Sequence, residues 1–521
     1  EYIVPLTSTQ RDLYMHSHVH ADTLDNSLGC SFEMRTDIDP DQWAQALQVV
    51  TNVHSVLRTD VVPADKPYLD MAYLAVAKTK KVALDYRDLS AMKLSHSEFL
   101  NYINAEVYRS FNVSKDALIC HYLFKLADEH YVSLLAGHHL SIDGAGGTLH
   151  MQQVCQVYQA QSSGETWQPE FVDFTDYVHD QAAVFDLADD LLHWQSKLKD
   201  VQPLDFPKPD VTKVEQLCDS VSIGSALWKQ FRSACRRHKS TPSLVLKSLY
   251  GLLLQQYCRP TNDFVVYEII SGRKKQHNRA IGCYYQQVPV LFQQALMQPS
   301  NVLSEYLNHI KQAQKQLGSA QNISVLQQQK LIQHGRIGFL YNYYDFHHII
   351  DFMGQKQRLQ HYPPRVPVGQ VQLIAKQMSD DLLLECHYHT QDFNSFAAMR
   401  RLKSVIEQFV EGVDTIADLS WVTGEENAQL DRWNNTSAIH EPNYSNIIDA
   451  IQLQMQNNPD ALAVQQGEQC FTYRDIEQQS LSLATRLQRL GITSNQAVAI
   501  CTSRGADFIV ALLATLKAGG Y

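Results

Sequence analysis

The stretch His138-His139-Leu140-Ser141-Ile142-Asp143-Gly144 decides how the rest of this sequence is interpreted. It follows a short apolar run, Tyr131–Ala136, that is typical of a buried strand, and it precedes a helix predicted to begin near Gly147. Adjacent residues of an extended segment point to opposite sides, so only one of the two imidazoles can face a given pocket. Because imidazole titrates near neutrality, that histidine can accept or guide a proton at cellular pH.

Composition and charge narrow the class of protein. The formal net charge of -11 argues against a nucleic-acid partner, because phosphate binding needs clustered positive charge. The ten cysteines are scattered singly without a Cys-x-x-Cys pair, which favours reduced thiols in the cytoplasm over a disulfide framework or a metal site. No apolar run approaches the ~18 residues that span a bilayer, so no membrane partner is predicted.

A chain of 521 residues is long enough that a single hydrophobic core usually splits into domains. Stretches of polar residues mark the predicted boundaries between them. One alternating pattern of strands and helices ends near Ser162-Ser163-Gly164, and a second ends with a helix predicted over about Phe396–Val410. Polar residues then accumulate before a new pattern starts after Pro442. We therefore expect an α/β protein with segments at 1–168, 169–425 and 446–521 and a linker at 426–445.

Several short motifs match, in order, those of the condensation domains of nonribosomal peptide synthetases. His138–Gly144 resembles the third and most specific of them. From about Ser445 the chain resembles the start of an adenylation domain, through Phe471–Ile476 and Leu516–Tyr521. The other stretches similar to condensation motifs are Leu6–Tyr14, His54–Thr59, Val172–Tyr177, Ser271–Arg273, Ile281–Tyr285, Gly338–Tyr343 and Trp433–Thr436.

The resemblance implies two lobes, each folded like one chloramphenicol acetyltransferase protomer, in a V-shaped pseudo-dimer. Residues 1–168 would form the N-lobe, 169–425 the C-lobe, and 446–521 a partial α/β subdomain of an adenylation domain. The implied activity is that of an acyltransferase that joins a donor acyl or peptidyl thioester to the amine of an acceptor aminoacyl thioester. Both substrates would be tethered to phosphopantetheine arms of carrier domains, with an adenylation domain as a further partner. No bound cofactor or metal is expected.

The same resemblance assigns expected roles around the motif. His139 would be the active-site residue, and the sequence leaves open whether it accepts a proton or positions the amine. His138 would turn away and hold the loop by hydrogen bonding. Asp143 would be structural and paired with an arginine, because a buried charge that loses its partner costs about 3–5 kcal/mol. Arg58 and Arg273 are the two candidates for that arginine.

Two further residues are candidates for substrate contacts. A backbone N–H at Gly144, where the helix approaches, would help to bind the oxyanion. Asn342 would hydrogen-bond substrate, although a packed strand asparagine explains it equally well. The small stretch Ala145-Gly146-Gly147 replaces an aromatic-Ser pair of the family and is similar to starter-type domains, which take a fatty or aryl acyl donor. The donor, the acceptor amino acid and the metabolite stay open.

Two alternative functions remain. An epimerisation domain shares the two-histidine motif, although it is usually followed by another condensation domain, whereas an adenylation start follows here. A noncatalytic module that docks or gates carriers is compatible with the unusual Gln286-Gln287 stretch. A cyclisation domain is excluded, because it would carry aspartates in place of His138 and His139.

Three other sequence patterns are not expected to form a catalytic, metal-binding or phosphate-binding site. The segment His16-Ser17-His18-Val19-His20 alternates like a strand face with three imidazoles, but no carboxylate or cysteine ligand is evident nearby, so we predict a surface strand or loop. His347-His348 lacks a following Asp-Gly. Gly519-Gly520 is not a phosphate loop, because no Gly-Lys-Ser/Thr follows it.

Overall fold

The computed structural model describes residues 2–64, 72–183, 187–199, 201, 204, 216–316, 324–331, 338–345, 349–365, 371–388, 395–434 and 445–521. The chain divides into two compact units, Glu1–Thr423 and Gly424–Tyr521. His347-His348 and the central part of the expected linker, residues 435–444, lie outside the described residues.

The first unit is a mixed α/β structure, as the sequence predicted. Its strands are β1 (Tyr2–Pro5), β2 (Ser27–Met34), β3 (Thr59–Pro63), β4 (Ala72–Val76), β5 (Leu84–Asp88), β6 (Ile119–Ala127), β7 (His130–His138), β8 (Leu217–Ser222), β9 (Phe264–Ser271), β10 (Tyr285–Phe292), β11 (Phe339–Tyr344), β12 (Ile349–Phe352), β13 (Gln355–Arg358), β14 (Gln360–Tyr362), β15 (Val371–Gln377) and β16 (Leu382–Tyr388). Its helices are α1 (Ser8–Val19), α2 (Pro40–Val53), α3 (His96–Val107), α4 (Gly144–Ser163), α5 (Phe174–Ala183), α6 (Leu187–Leu198), α7 (Ser225–Arg237), α8 (Pro242–Cys258), α9 (Leu303–Gln316), α10 (Val325–Leu331) and α11 (Ser395–Glu411).

Two larger sheets organise this unit. The five-stranded sheet has the order β14-β2-β7-β6-β5 and is antiparallel except between β5 and β6. The six-stranded sheet has the order β10-β9-β11-β15-β16-β8, with β9, β11 and β15 parallel. The loop that carries the two-histidine motif, His139–Asp143, follows β7 of the first sheet and is called the motif loop below. Asn342 lies on β11 of the second sheet, and Arg273 lies just beyond the end of β9 in the same sheet. The two sheets thus supply different parts of the candidate site.

A segment from the second half of the sequence completes the first sheet. Strand β14 pairs antiparallel with β2, with Cys30 opposite His361. The ring of Phe352 on β12 packs edge-on against Phe32 and Trp43, with centroids 6.2 and 5.9 Å apart. Residues that sequence alone places with the 169–425 segment therefore share a core with residues of the 1–168 segment.

Helix α4 begins three residues earlier than predicted, at Gly144 rather than near Gly147. The carboxylate of Asp143 accepts a hydrogen bond from the N–H of Gly146 and so caps the first turn. This cap helps Gly144 and Gly146, two residues of poor helix propensity, to join the helix. The helix ends at Gly164, whose φ of 72° is a left-handed conformation that glycine adopts without strain.

The prediction of a strand or loop for His16–His20 is wrong, because most of this segment belongs to α1. Thr7 and Gln10 form a capping box at its start. The buried residues Gln10, Leu13, Tyr14 and Ser17 follow the i, i+3, i+4, i+7 spacing of one helix face. That longer period outweighs the short alternation of the histidines.

The second unit contains α12 (Gly424–Asn434), α13 (Ile447–Asn457), β17 (Leu462–Gln466), β18 (Gln469–Thr472), α14 (Tyr473–Arg489) and α15 (Ala506–Lys517). Strands β17 and β18 form an antiparallel hairpin. A small core of Met455, Ile476, Val510 and Leu513 joins α13, α14 and α15. No helix in the described parts of either unit is long and apolar enough to cross a membrane.

Candidate active site at the two-histidine loop

The motif loop is held by backbone hydrogen bonds from distant segments. The N–H of His139 donates to the carbonyl of Asn26 at 2.8 Å, and the N–H of Asp143 donates to that of Gly282 at 3.1 Å. Leu140 and Ile142 are fully buried and anchor the loop in the core. These contacts fix the backbone conformation of the loop between His139 and Asp143.

The carboxylate of Asp143 joins the loop to the second sheet. It forms an ion pair with Arg273, and it accepts hydrogen bonds from the N–H groups of Gly146 at 2.7 Å and Tyr284 at 3.0 Å. Burial raises the pKa of this carboxyl, but Arg273 and the two N–H donors outweigh that effect and hold the pKa below its usual value. Asp143 is therefore an ionised structural link.

Arg273 is thus the one of the two candidate arginines that contacts Asp143. Its guanidinium also lies over the ring of Tyr284, 4.3 Å from the centroid. Arg58 instead donates to backbone carbonyls, among them those of Thr51 and Ala77. Arg58 therefore serves the local turn after α2 and not the motif loop.

His138 turns away from the site, as its position in the strand predicts. Its Nδ1 accepts from the N–H of Leu140 at 3.1 Å, so its Nε2 carries the proton and donates to the hydroxyl oxygen of Ser17 at 3.0 Å. The side-chain amide of Asn26 donates to the same oxygen at 3.1 Å. Burial lowers the pKa of His138 to about 3, so the ring is neutral at cellular pH.

Sequence reasoning missed Ser17 and Asn26. Together they hold both histidines, since the carbonyl of Asn26 also accepts from the N–H of His139. A helical interpretation of residues 16–20 would have placed Ser17 on the buried face with Gln10, whose side chain donates to the carbonyl of Leu140 at 2.9 Å.

The imidazole of His139 is only partly buried, and it packs against the ring of Tyr285 with centroids 4.1 Å apart. Burial lowers its pKa, whereas the nearby charge of Asp143 acts in the opposite direction. The net shift is downward, so the ring is neutral near pH 7. A neutral imidazole is able to accept a proton.

Two adjoining cavities meet at His139. The first has a volume of about 300 Å³ and the second of about 310 Å³. His139 and Gly144 line both, whereas Asn342 lines only the second. The other residues common to both linings are Tyr344, Pro363 and Pro364. A group placed beside His139 can therefore be approached from two spaces.

Gly144 and Asn342 both line the second cavity. Gly144 is the first residue of α4, so its N–H is one of those at the helix start that make no intrahelical hydrogen bond. Asn342 is 6% exposed on β11, and its small exposed part faces the second cavity. It is at once a packed strand residue and a cavity residue.

Comparisons with known proteins identify the family of this chain. The family described as "Condensation domain" matches residues 1–430, and the family "AMP-binding enzyme" matches residues 451–521. A linear gramicidin synthase of Brevibacillus parabrevis is 24% identical over 561 residues, covering 99% of this chain and 10% of its own length. Tyrocidine synthase 3 of the same organism is 23% identical over 548 residues, covering 99% of this chain and 8% of its own length. The chain thus spans about a tenth of the length of these two relatives.

Solved structures show the same fold. A starter condensation domain of rhizomide synthetase, in complex with C8-CoA and Leu-SNAC, has a TM-score of 0.69 at 16% identity and covers 80% of this chain and 97% of its own. A four-domain nonribosomal peptide synthetase bound to AMP and glycine has a TM-score of 0.78 at 16% identity and covers 100% of this chain and 41% of its own. With a family match over residues 1–430, the chain belongs to the condensation-domain family of nonribosomal peptide synthetases, and the start of an AMP-binding domain follows at residue 451.

Proposed function

We propose that the first unit catalyses amide bond formation between a donor acyl thioester and the amine of an acceptor aminoacyl thioester, each held by a carrier domain. The observation that supports this most directly is the partly buried imidazole of His139 at the meeting of two cavities. Two tethered substrates that enter from different spaces would meet at that ring. Phosphopantetheine would enter only as the tether of each substrate.

The reaction is balanced by one proton transfer. The amine nitrogen attacks the thioester carbon, the carbon–sulfur bond breaks, and the proton lost by nitrogen passes to the departing thiolate. The neutral imidazole of His139 either accepts this proton in transit or holds the amine by a hydrogen bond. The N–H of Gly144 would stabilise the negative oxygen of the intermediate. Asp143, Arg273 and His138 support the loop, and Asn342 contacts the substrate in the second cavity.

The donor is proposed to be a fatty or aryl acyl group, as in starter-type domains. Ala145, the first residue of the small Ala145-Gly146-Gly147 stretch, lines the second cavity. One solved relative of this fold is a starter domain bound to C8-CoA. We assign residues 1–168 and 169–425 to its two lobes, 426–445 to the linker and 446–521 to the adenylation domain, and we place the protein in the cytoplasm.

The test uses the full 521-residue chain with carrier proteins loaded with aminoacyl acceptors and with a panel of fatty, aryl and aminoacyl donors. Mass spectrometry of the acceptor carrier should show the condensed amide thioester. His139→Ala should lower the rate by about 10²–10⁴-fold, the usual contribution of a positioned acid–base group. His96→Ala, at an exposed histidine at the start of α3, should leave the rate unchanged.

Three outcomes would contradict the proposal. Absence of an amide with every donor, while carriers still bind, would indicate a docking module. A racemised acceptor without condensation would indicate an epimerisation domain. Unchanged turnover in His139→Ala would remove this residue from the reaction.

A further inference from the structure

A cysteine, a glutamate and a histidine lie together on one face of the six-stranded sheet. Along β16, Leu384 and Cys386 are buried in the core, so Glu385 and His387 point to the opposite face. Cys218 on β8 lies directly opposite His387 in the register of the two strands. Within the described part of the chain, these three residues are the group whose ligand atoms all approach one another closely enough to hold a metal ion.

The distances match the edges of a zinc coordination tetrahedron. The sulfur of Cys218 lies 3.6 Å from Nε2 of His387, and that nitrogen lies 3.2 Å from Oε2 of Glu385. Tetrahedral zinc bonds of about 2.3 Å to sulfur and about 2.0–2.2 Å to nitrogen and oxygen place these ligand pairs about 3.5 and about 3.4 Å apart. The three atoms therefore need little movement to share one ion.

Two neighbouring side chains contact the candidate ligands and would affect metal binding. The amide nitrogen of Gln216 lies 3.1 Å from Nδ1 of His387, the ring nitrogen that would stay off the metal. Rotation of that amide would let its oxygen accept from Nδ1–H and orient the ring, as the outer hydrogen-bond partners of zinc-bound histidines do. The ammonium of Lys376 lies 2.7 Å from Oε2 of Glu385 and competes for the same oxygen.

We propose that Cys218, Glu385 and His387 bind one zinc ion, with water as the fourth ligand. Binding releases the thiol proton of Cys218, moves the proton of His387 to Nδ1, and displaces Lys376 from Glu385. Among the described strands β8 pairs with β16 alone, so the ion would link this edge strand to its neighbour. None of the three residues is among the described residues that line either cavity, although their neighbour Lys376 lines the first.

Cobalt(II) is the direct probe, because a cobalt–thiolate bond absorbs in the near ultraviolet and a tetrahedral cobalt site absorbs strongly in the visible. Titration of the chelator-treated full chain should give both bands at one equivalent, and zinc should then abolish them. The variants Cys218→Ser and His387→Gln should lose the bands. Cys470→Ser, at an exposed cysteine in the second unit, should keep them.

Two further measurements make the test specific. Lys376→Met should tighten cobalt binding severalfold, because it removes the competing cation from Glu385. Zinc should raise the melting temperature of the wild-type chain and not that of Cys218→Ser. The proposal is overturned if the wild-type chain shows no thiolate band, or if the band survives in Cys218→Ser with that variant folded by circular dichroism.

Discussion

Asp143 connects three parts of the chain through one carboxylate. It caps α4, receives the N–H of Tyr284 and pairs with Arg273 from the second sheet. Both charged side chains are less than a tenth exposed, so neither is solvated well without the other. This pair therefore links the position of the motif loop to the position of β9.

The first prediction concerns this pair. Asp143→Asn leaves the guanidinium of Arg273 buried without a counter-charge, which should lower the free energy of unfolding by about 3–5 kcal/mol. Arg273→Met should cost a similar amount for the converse reason. The double variant should cost clearly less than the sum, because no buried charge then lacks a partner. Urea unfolding of the four proteins measures this, and additive losses would show that the pair is not coupled.

A second prediction concerns Ser17, which we regard as a positioning residue. Ser17→Ala removes the hydrogen-bond acceptor of His138 and the partner of the Asn26 amide. We expect kcat for amide formation to fall by about 10–100-fold through misplacement of His139, with little change in KM.

Its controls test the hydroxyl itself. Ser17→Thr keeps the hydroxyl and should restore most of the rate. Ser163→Ala removes an exposed serine whose hydroxyl bonds to carbonyls of its own helix, α4, and it should have no effect on the rate. Equal kcat in Ser17→Ala and the wild type would contradict a positioning role.

Much of the site could be predicted at the residue scale, but not its tertiary partners. The motif itself points to His139, and the family resemblance predicts an arginine partner for Asp143. The choice between Arg58 and Arg273 depends on the approach of segments 130 residues apart, which no local pattern encodes. The catalytic role of His139 stays a prediction.

At the scale of elements, periodic apolar patterns were reliable where they were long. Helix α11 spans Ser395–Glu411, close to the predicted Phe396–Val410. The alternating histidines in α1 led to a wrong prediction of a strand or loop, because three alternating residues do not distinguish a strand from a helix. Strand β14 was not foreseen, because its three residues carry no strand signal without their partner β2.

The third prediction concerns the contact between α8 and β10. A Cβ at Gly251 would lie 2.1 Å from the ring of Phe292, which is fully buried and stacked on Phe264. Gly251→Ala gains up to about 1 kcal/mol of helix propensity. Overpacking costs about 1–3 kcal/mol and should outweigh it.

Thermal unfolding measures this balance. Gly251→Ala should melt at a lower temperature than the wild type. Gly424→Ala is the matched control, because a Cβ there meets nothing within 4 Å. A Gly251→Ala variant as stable as this control would show that Phe292 moves at no cost.

At the scale of the whole molecule, the first unit buries several histidines in the neutral form. Burial lowers the pKa of His121 to about 4 and that of His138 to about 3. His150 stacks on His121 with ring centroids 4.9 Å apart, and burial also lowers its pKa. The unfolded chain therefore binds more protons than the folded one between these values and about pH 6.5.

Stability should consequently fall as the pH is lowered from about 7 to about 5. His121 and His138 each contribute a loss of about 2 kcal/mol at pH 5, because the folded pKa of each lies below that pH and the unfolded pKa lies above it. His121→Phe keeps an aromatic ring beside His150 and should shrink the acid-induced loss by about that amount. His96→Phe, at an exposed position, should leave it unchanged. Urea titrations at both pH values measure the difference, and equal losses in His121→Phe and the wild type would show that the His121 ring is protonated within the folded protein.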